Sequence, residues 1–246
     1  MSAPTHRRDD AESLIPDPSA PLPTGEEKRR AVQAMFDTIA PRYDLVNRIM
    51  TFRLDVRWRK RALRDLALPT GSLVADLASG TGDLCIELRN AGLRPISVDL
   101  SFGMLAADRS GAPRVQGDTL RLPFPDAALA GVTCGFALRN FTALDEFFAE
   151  LARVVRPGGR IALLDASTPE NRVMRMGHSV YFGKIVPRIG GLLSNKAAYA
   201  YLPRSLGYLP EPAVMVSMLR NAGFPDGQRS VLSGGIAQLF TGTRRS

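Results

Sequence analysis

From Gly71 onward, short apolar runs alternate with longer amphipathic ones, and this alternation restricts the fold more than any other feature of the chain. SLVADL (72–77) predicts a strand, and GTGDLCIELRNAG (80–92) a helix. LRPISVDL (93–100) is a strand, SFGMLAADRSG (101–111) a helix, and PRVQGD (113–118) a strand, followed by a loop carrying LPFPD. ALAGVTCGF (128–136) is the next strand. TALDEFFAELARVVRPGG (142–159) follows as a helix closed by glycine, then RIALLDAS (160–167) as a strand. Such βαβαβ alternation predicts a parallel sheet with helices on both faces. MVSMLRNAGF (215–224) is a helix, and QRSVLSG and IAQLFTGT are two last strands joined at Gly234 and Gly235. The expected fold is α/β and Rossmann-like: a mostly parallel, seven-stranded sheet with a C-terminal antiparallel hairpin and N-terminal helices. A simple dinucleotide-binding fold would not end in that hairpin.

Residues 1–24 are rich in Pro, Ser, Asp and Ala without periodicity and are expected to be a disordered tail. Residues 25–246 are expected to be one domain with a helical cap over 25–70. The tail lacks an apolar signal core, and no apolar run is long enough for a membrane span. Cys85 and Cys134 have no cysteine or histidine at ligand spacing, so neither a metal site nor a disulfide framework is suggested, and a reducing cytoplasm is the natural setting. A net charge of +8 favours acidic partners without choosing among nucleic acid, anionic lipid and phosphate-bearing substrates.

VADLASGTGDL, residues 74–84, joins a strand, a small-residue turn and a helix start. Small residues let backbone approach a ligand, and in open α/β sheets ligands sit at the carboxyl ends of the strands. There is no GK[ST] and no third glycine of a dinucleotide fingerprint. Asp76, placed within the turn, and Asp83 would repel a pyrophosphate and suit a cationic ligand. Asp99, at the end of the next strand, suits ribose hydroxyls. Asp118 and Thr119, after the third, suit an adenine amino group. Carboxylates with ribose and adenine sites, but without a phosphate cradle, describe S-adenosylmethionine. The alternative is a tight turn with solvated acids.

On these residues the chain resembles the ubiquinone/menaquinone biosynthesis C-methyltransferases, within the class I methyltransferases. The resemblance runs from about Ala31 to Thr243. MFDTIAPRYDLVNRIMTF (35–52) resembles the family's N-terminal signature, and DLASGTGDL its cofactor turn. VDLSFGML, GDTLRLPF and VTCGFALRNF resemble three further motifs, and YAYLPRSLGYLP (199–210) a downstream one, through Tyr199, Tyr201, Leu202 and Ser205. The resemblance implies that Asp76, Gly80, Thr81 and Gly82 surround the methionine part of the cofactor, and that Asp99 takes the ribose. Asp118 and Thr119 would lie near the adenine, with Gly135 on the cofactor side of the fourth strand. It makes 71–168 the cofactor-binding core, 169–210 a substrate-side helical insertion and 211–246 the closing helix and hairpin. The implied reaction is C-methylation of a prenylated quinol, most directly demethylmenaquinol to menaquinol. Gly135 stands where Ser or Ala is usual, and Ala137 where Gly is usual. LLDASTP (163–169) replaces Glu-Phe-Ser-x-Pro, so Asp165 is a shorter acid and Ala166 removes an aromatic wall.

A ring carbon becomes nucleophilic when a neighbouring hydroxyl loses its proton, so the protein must hold a developing oxyanion beside the methyl donor. Arg139, a fixed planar cation, and Asn140, both donor and acceptor, end the fourth strand where that is needed. Arg139 is too basic to be a free base and is assigned electrostatic stabilisation. The alternative is a salt bridge at Arg139 with Asn140 or Thr142 capping the next helix. Tyr43 is expected to close the pocket from the N-terminal helices, with core packing as its alternative. His178 is expected at the surface in preference to a role as base. RWRKR (57–61) and RVMRMGHSVYFGKIVPRIGGLL interleave basic and apolar residues, as a peripheral contact with the membrane's inner face would require. A solvated helix face is the alternative for RWRKR. No nucleic-acid-binding motif accompanies the charge. A different phenolic or polyketide-like acceptor, a non-catalytic cofactor-binding subunit and an RNA methyltransferase are the competing readings. Oligomeric state is open, with a homodimer as one outcome.

Overall fold

The structure, a computed structural model, describes residues 23–40, 43–186, 188 and 204–246, with the side chains of Tyr43, Val46, Phe182 and Lys184 outside that description. The expected tail over 1–24 lies outside it apart from Pro23 and Thr24, as do Tyr199, Tyr201 and Leu202.

Seven strands form one sheet in the order β3-β2-β1-β4-β5-β7-β6. They are β1 (Leu73–Leu77), β2 (Arg94–Asp99), β3 (Arg114–Gln116), β4 (Leu129–Gly135), β5 (Val155–Ala166), β6 (Gln228–Leu232) and β7 (Ala237–Thr243). β1 to β5 pair in parallel, and β7 is antiparallel to both β5 and β6. The expected hairpin is therefore present and closes the sheet beside β5. From β1 the chain builds outward through β2 and β3, then returns to place β4 on the other side of β1. The strand order thus reverses between β1 and β4, where a ligand crevice opens.

Strand alternation divides the core between two layers. Ala75, Leu77, Ile161, Leu163 and Phe240 point to one face, where they pack with Phe147, Leu151, Met215 and Leu219. The last four come from α6 (Leu144–Val154) and α8 (Pro212–Asn221). Val74, Ala162, Leu164 and Leu239 point to the other, against Trp58, Ala62, Leu66 and Leu88. Those side chains come from α3 (Leu54–Leu66) and α4 (Asp83–Asn90). Trp58, Ala62 and Leu66 recur every four residues, the spacing that lines one helix face. Trp58 is therefore core, with its indole N–H donating to Ser233 Oγ at 2.9 Å. That removes RWRKR as an interfacial aromatic segment: Arg57 and Lys60 are exposed, while Trp58 and Arg59 are buried.

Ahead of the sheet lie α1 (Gly25–Ile39) and α2 (Tyr43–Met50). The short α5 (Phe102–Ala106) follows β2, and α7 (Arg172–Val180) follows β5 and continues into a π-helical turn at Tyr181–Ile185. Three local expectations need correction. The helix over 142–159 ends at Val154, and VRPGG begins β5, where a large bulge sets Leu129 opposite Val155 and then Gly131 opposite Arg160. α6 has Ala143 at its N-cap with no side-chain cap bond, so Asn140 and Thr142 do not cap it. Asp76 lies within β1, not in the turn.

Candidate active site

Two cavities open at the carboxyl ends of the strands. The first lies over the β1–β4 crevice and is lined by Asp76, Gly80, Thr81, Asp99, Asp118, Thr119, Gly135 and Asn140. The structure thus gathers these predicted residues from four strand ends into one cavity. α1 closes it from above with Val32, Gln33 and Phe36.

Asp99 is held by the turn it faces: Gly80 N–H donates to Oδ2 and Ser101 N–H to Oδ1, both at 2.8 Å. Burial pushes its carboxyl up to about 6, against those two amides. Asp76 is buried on β1, accepts from Thr133 Oγ1 at 2.8 Å, and is pushed up to about 7 by desolvation. Ser79 Oγ is buried beside them without a hydrogen-bond partner among the described residues. At Gly80, with φ +57°, an added Cβ would meet nothing nearer than Met104 Sδ at 3.9 Å, so the backbone is open to a ligand. Gly82 differs. With φ +83°, its Cβ would come within 2.3 Å of Asp108 Oδ1, so packing requires it to be glycine. Gly135 leaves room for a Cβ, 3.8 Å from Leu84 Cδ2.

The N-terminal signature acts as a clamp. Asp44 on α2 accepts from Thr81 Oγ1 at 2.5 Å and pairs with Arg109, while Asp37 on α1 accepts from Ser101 Oγ at 2.5 Å and Gly103 N–H at 2.9 Å. Thr81 therefore spends its hydroxyl on α2. Tyr43 begins α2, but its side chain lies outside the described residues.

The second cavity is largely apolar. Met50, Phe52, Leu54, Trp58, Met174, Tyr181 and Ile236 line it, with Arg139 and His178 among its polar members. Arg139 is buried on a 3-10 turn, Leu138–Asn140. Its Nη1 pairs with Asp165 Oδ1, its backbone N–H donates to Asp165 Oδ2 at 3.1 Å, and its Nε donates to Ser205 Oγ at 3.2 Å. The salt bridge weighed for Arg139 is thus present, and the altered acid Asp165 is its partner. His178, expected at the surface, borders the cavity instead.

Phe136 and Arg59 border both cavities. Sequence reasoning missed both. Phe136 has φ +63°, and Ala78, after β1, has φ +49°. For residues with a Cβ, such backbone is strained by about 1–3 kcal/mol each and gathers at functional sites. Nothing in the local sequence signals it. Arg59 reads as one of a basic run, yet it is buried between Asp55 at 2.6 Å and Asp83 at 3.2 Å. The Asp55–Arg59 spacing of four was the available signal.

A carboxylate-lined crevice at the sheet's switch point, an arginine-bearing apolar cavity beside it, and an antiparallel last strand define a class I methyltransferase. The chain is 16% identical to a SAM-dependent methyltransferase from Thermotoga maritima whose crystal structure matches it with a TM-score of 0.62, covering 87% of this chain and 99% of that one. The sequence profile of the ubiE/COQ5 methyltransferase family matches residues 24–244, and the chain belongs to that family. Among curated relatives, a demethylmenaquinone methyltransferase from Deinococcus radiodurans is 39% identical, covering 92% of this chain and 97% of the relative. Another of that name, from Thermus thermophilus, is 40% identical over 85% and 100%.

Proposed function

We propose that the protein C-methylates demethylmenaquinol to menaquinol, with S-adenosylmethionine as donor. The observation that carries this is the meeting of the two cavities at Phe136. One suits a cationic nucleoside and the other an apolar ring bearing hydroxyls. The relatives' names favour this quinol over other phenolic acceptors. The residues of the first cavity fit the cofactor: carboxylates, the orphaned Ser79 hydroxyl and open backbone at Gly80, without a phosphate cradle. When bound, that group supplies an activated methyl on a sulfonium. Asp99 would take the ribose diol, and Asp118 and Thr119 the adenine. Arg139, held in place by Asp165 and Ser205, would stabilise charge growing on the quinol oxygen, and Asn140 would orient the ring. The test is to incubate the protein with methyl-labelled cofactor and quinol extract from a strain lacking this methyltransferase. Labelled menaquinol is the expected product. Label in another phenol, or in none, would overturn the reading.

Cofactor affinity should depend on pH. A cationic ligand favours ionised carboxylates, and Asp76 and Asp99 titrate near 7 and 6. Affinity should therefore be full above about pH 7.5 and fall by up to about tenfold per pH unit for each group below its pKa. Because both pKa values are raised on folding, the ligand-free protein should lose stability as pH rises from about 4 through 7. Calorimetric titration from pH 5.5 to 8.5 reads the first effect; a flat profile would separate these carboxylates from the cofactor's charge.

The substrate's prenyl chain also calls for an entry face. Phe52, on the loop after α2, is exposed at the second cavity, and Val173, Met176 and Val180 are exposed on α7, the helix whose Met174, Gly177 and His178 line that cavity, interleaved with exposed Arg53, Arg172 and Arg175. Such a face suits a bilayer interface rich in anionic lipid. No helix among the described residues is long and apolar enough to cross a membrane. The protein should float with phosphatidylglycerol vesicles at low salt and release at high salt, and Phe52→Ser with Met176→Ser should weaken flotation. No flotation at low salt would exclude this entry face.

A further inference from the structure

We infer that Gly177 on α7 is a specificity-determining residue whose missing side chain leaves the notch through which the acceptor's prenyl chain passes out of the second cavity, an inference that rests on the substrate reading above. Residues three or four apart share a helix face. Met174, Gly177 and Tyr181 are so spaced, and all line the second cavity. Val173, Gly177 and Val180 are so spaced too. Val173 and Val180 are exposed apolar residues on the outside of the helix, with exposed Met176 beside them. Gly177 therefore belongs both to the cavity wall and to the outer apolar face, at the rim where one turns into the other.

Neither backbone nor packing asks for glycine here. Gly177 lies inside α7 and is not among the glycines of positive φ. An added Cβ would meet nothing within 4 Å among the described residues, so the space over it is open. Glycine inside a helix is also less stable than alanine would be. Gly234 shows the contrast: its Cβ would come within 2.3 Å of Met174 Cε, so packing requires it. That contact seats Met174, one turn before Gly177, against the turn between β6 and β7. One turn after Gly177, the Tyr181 hydroxyl donates to Met50 O at 2.8 Å. The helix is pinned on both sides of the notch, so residue 177 sets its depth.

The lining identifies what passes. Exposed Phe52 packs on Tyr181 with ring centroids 5.8 Å apart, so apolar side chains continue from the cavity across the rim to the outer face. A hydroxylated ring held at Arg139 has only its apolar chain to lay across such a rim, where contact removes that chain from water.

The test compares demethylmenaquinol carrying a short prenyl chain with chainless 1,4-dihydroxynaphthalene, in wild type, Gly177→Ala and Gly177→Gln. Affinity is read by anaerobic calorimetry with S-adenosylhomocysteine bound, and kcat and KM by methylation. Gly177→Gln, long enough to fill the notch, should bind the prenylated acceptor about 10–10²-fold more weakly and raise its KM on the same scale. Its affinity for the chainless acceptor and for cofactor should not change. Gly177→Ala should lie between Gln and wild type. Both variants should melt at or above the wild-type Tm, since each replaces a helix glycine, so lost binding would not be damage to the fold. Equal losses for the two acceptors would put Gly177 against the ring and overturn the inference. Unchanged binding of the prenylated acceptor by Gly177→Gln, or wild type that binds both acceptors equally, would overturn it too. Each of these outcomes leaves methylation of the quinol standing. Wild type that methylates neither acceptor would overturn the substrate reading and this inference together.

Discussion

Arg139→Met should lower stability by about 3–5 kcal/mol, because it leaves the buried Asp165 carboxylate without its cation. Asp165 would keep only the backbone N–H donors of residue 139 and of Ala166, the latter at 2.7 Å. Adding Asp165→Leu removes the stranded charge, so the double variant should recover most of the lost stability. Turnover should not recover. If the guanidinium stabilises charge on the quinol oxygen, single and double variants should both methylate at least ~10²-fold more slowly. Arg139→Lys keeps the charge but cannot span Asp165 and Ser205 with one planar fork, so it should fall on the slow side too. Denaturant melts, cofactor titration and single-turnover rates on the same preparations separate the two roles. A double variant that refolds, binds cofactor and methylates at the wild-type rate would reduce Arg139 to a strut between the β4 and β5 ends.

Asp99→Ala should damage both the fold and the cofactor site. In the free protein it orphans the Gly80 and Ser101 amides, each bonded to the carboxylate at 2.8 Å. An unsatisfied buried donor costs roughly 1–3 kcal/mol. The ribose hydroxyls would lose their acceptor at the same time, so S-adenosylmethionine should bind about 10–100-fold more weakly, the same scale of loss. Calorimetry with a parallel thermal melt reads both. Weak binding with an unchanged Tm would mean that the turn does not rely on the carboxylate. Unchanged affinity would take Asp99 out of the ribose site.

The seven strands and the closing hairpin were legible, the first five because parallel strands are buried on both faces and read as short apolar runs between turn signals, whereas the order of the strands came only from the structure. That Asp76, Asp99 and Asp118 line one cavity was legible for a related reason: in such a sheet every parallel strand end points to the same edge, so the three converge whatever the loops do. The helix–strand boundary at Val155 was not legible, because VVRPGG serves equally as a helix stop and a strand entry, and pairing with Leu129 decided it.

The second cavity belongs to the tertiary structure. Arg139 could be placed at a strand end from sequence, but its partners Asp165 and Ser205 lie 26 and 66 residues away. His178 reads as a surface residue because it stands alone in a basic, aromatic stretch, and only the tertiary structure sets it on the wall of the second cavity. Phe136 divides the cavities through a positive φ that no local pattern announces. Local sequence carries periodicity and strand ends, since these follow from side chains a few positions apart. Partners of a buried charge and walls of a cavity come from contacts across the chain, and those exist only once the sheet has formed.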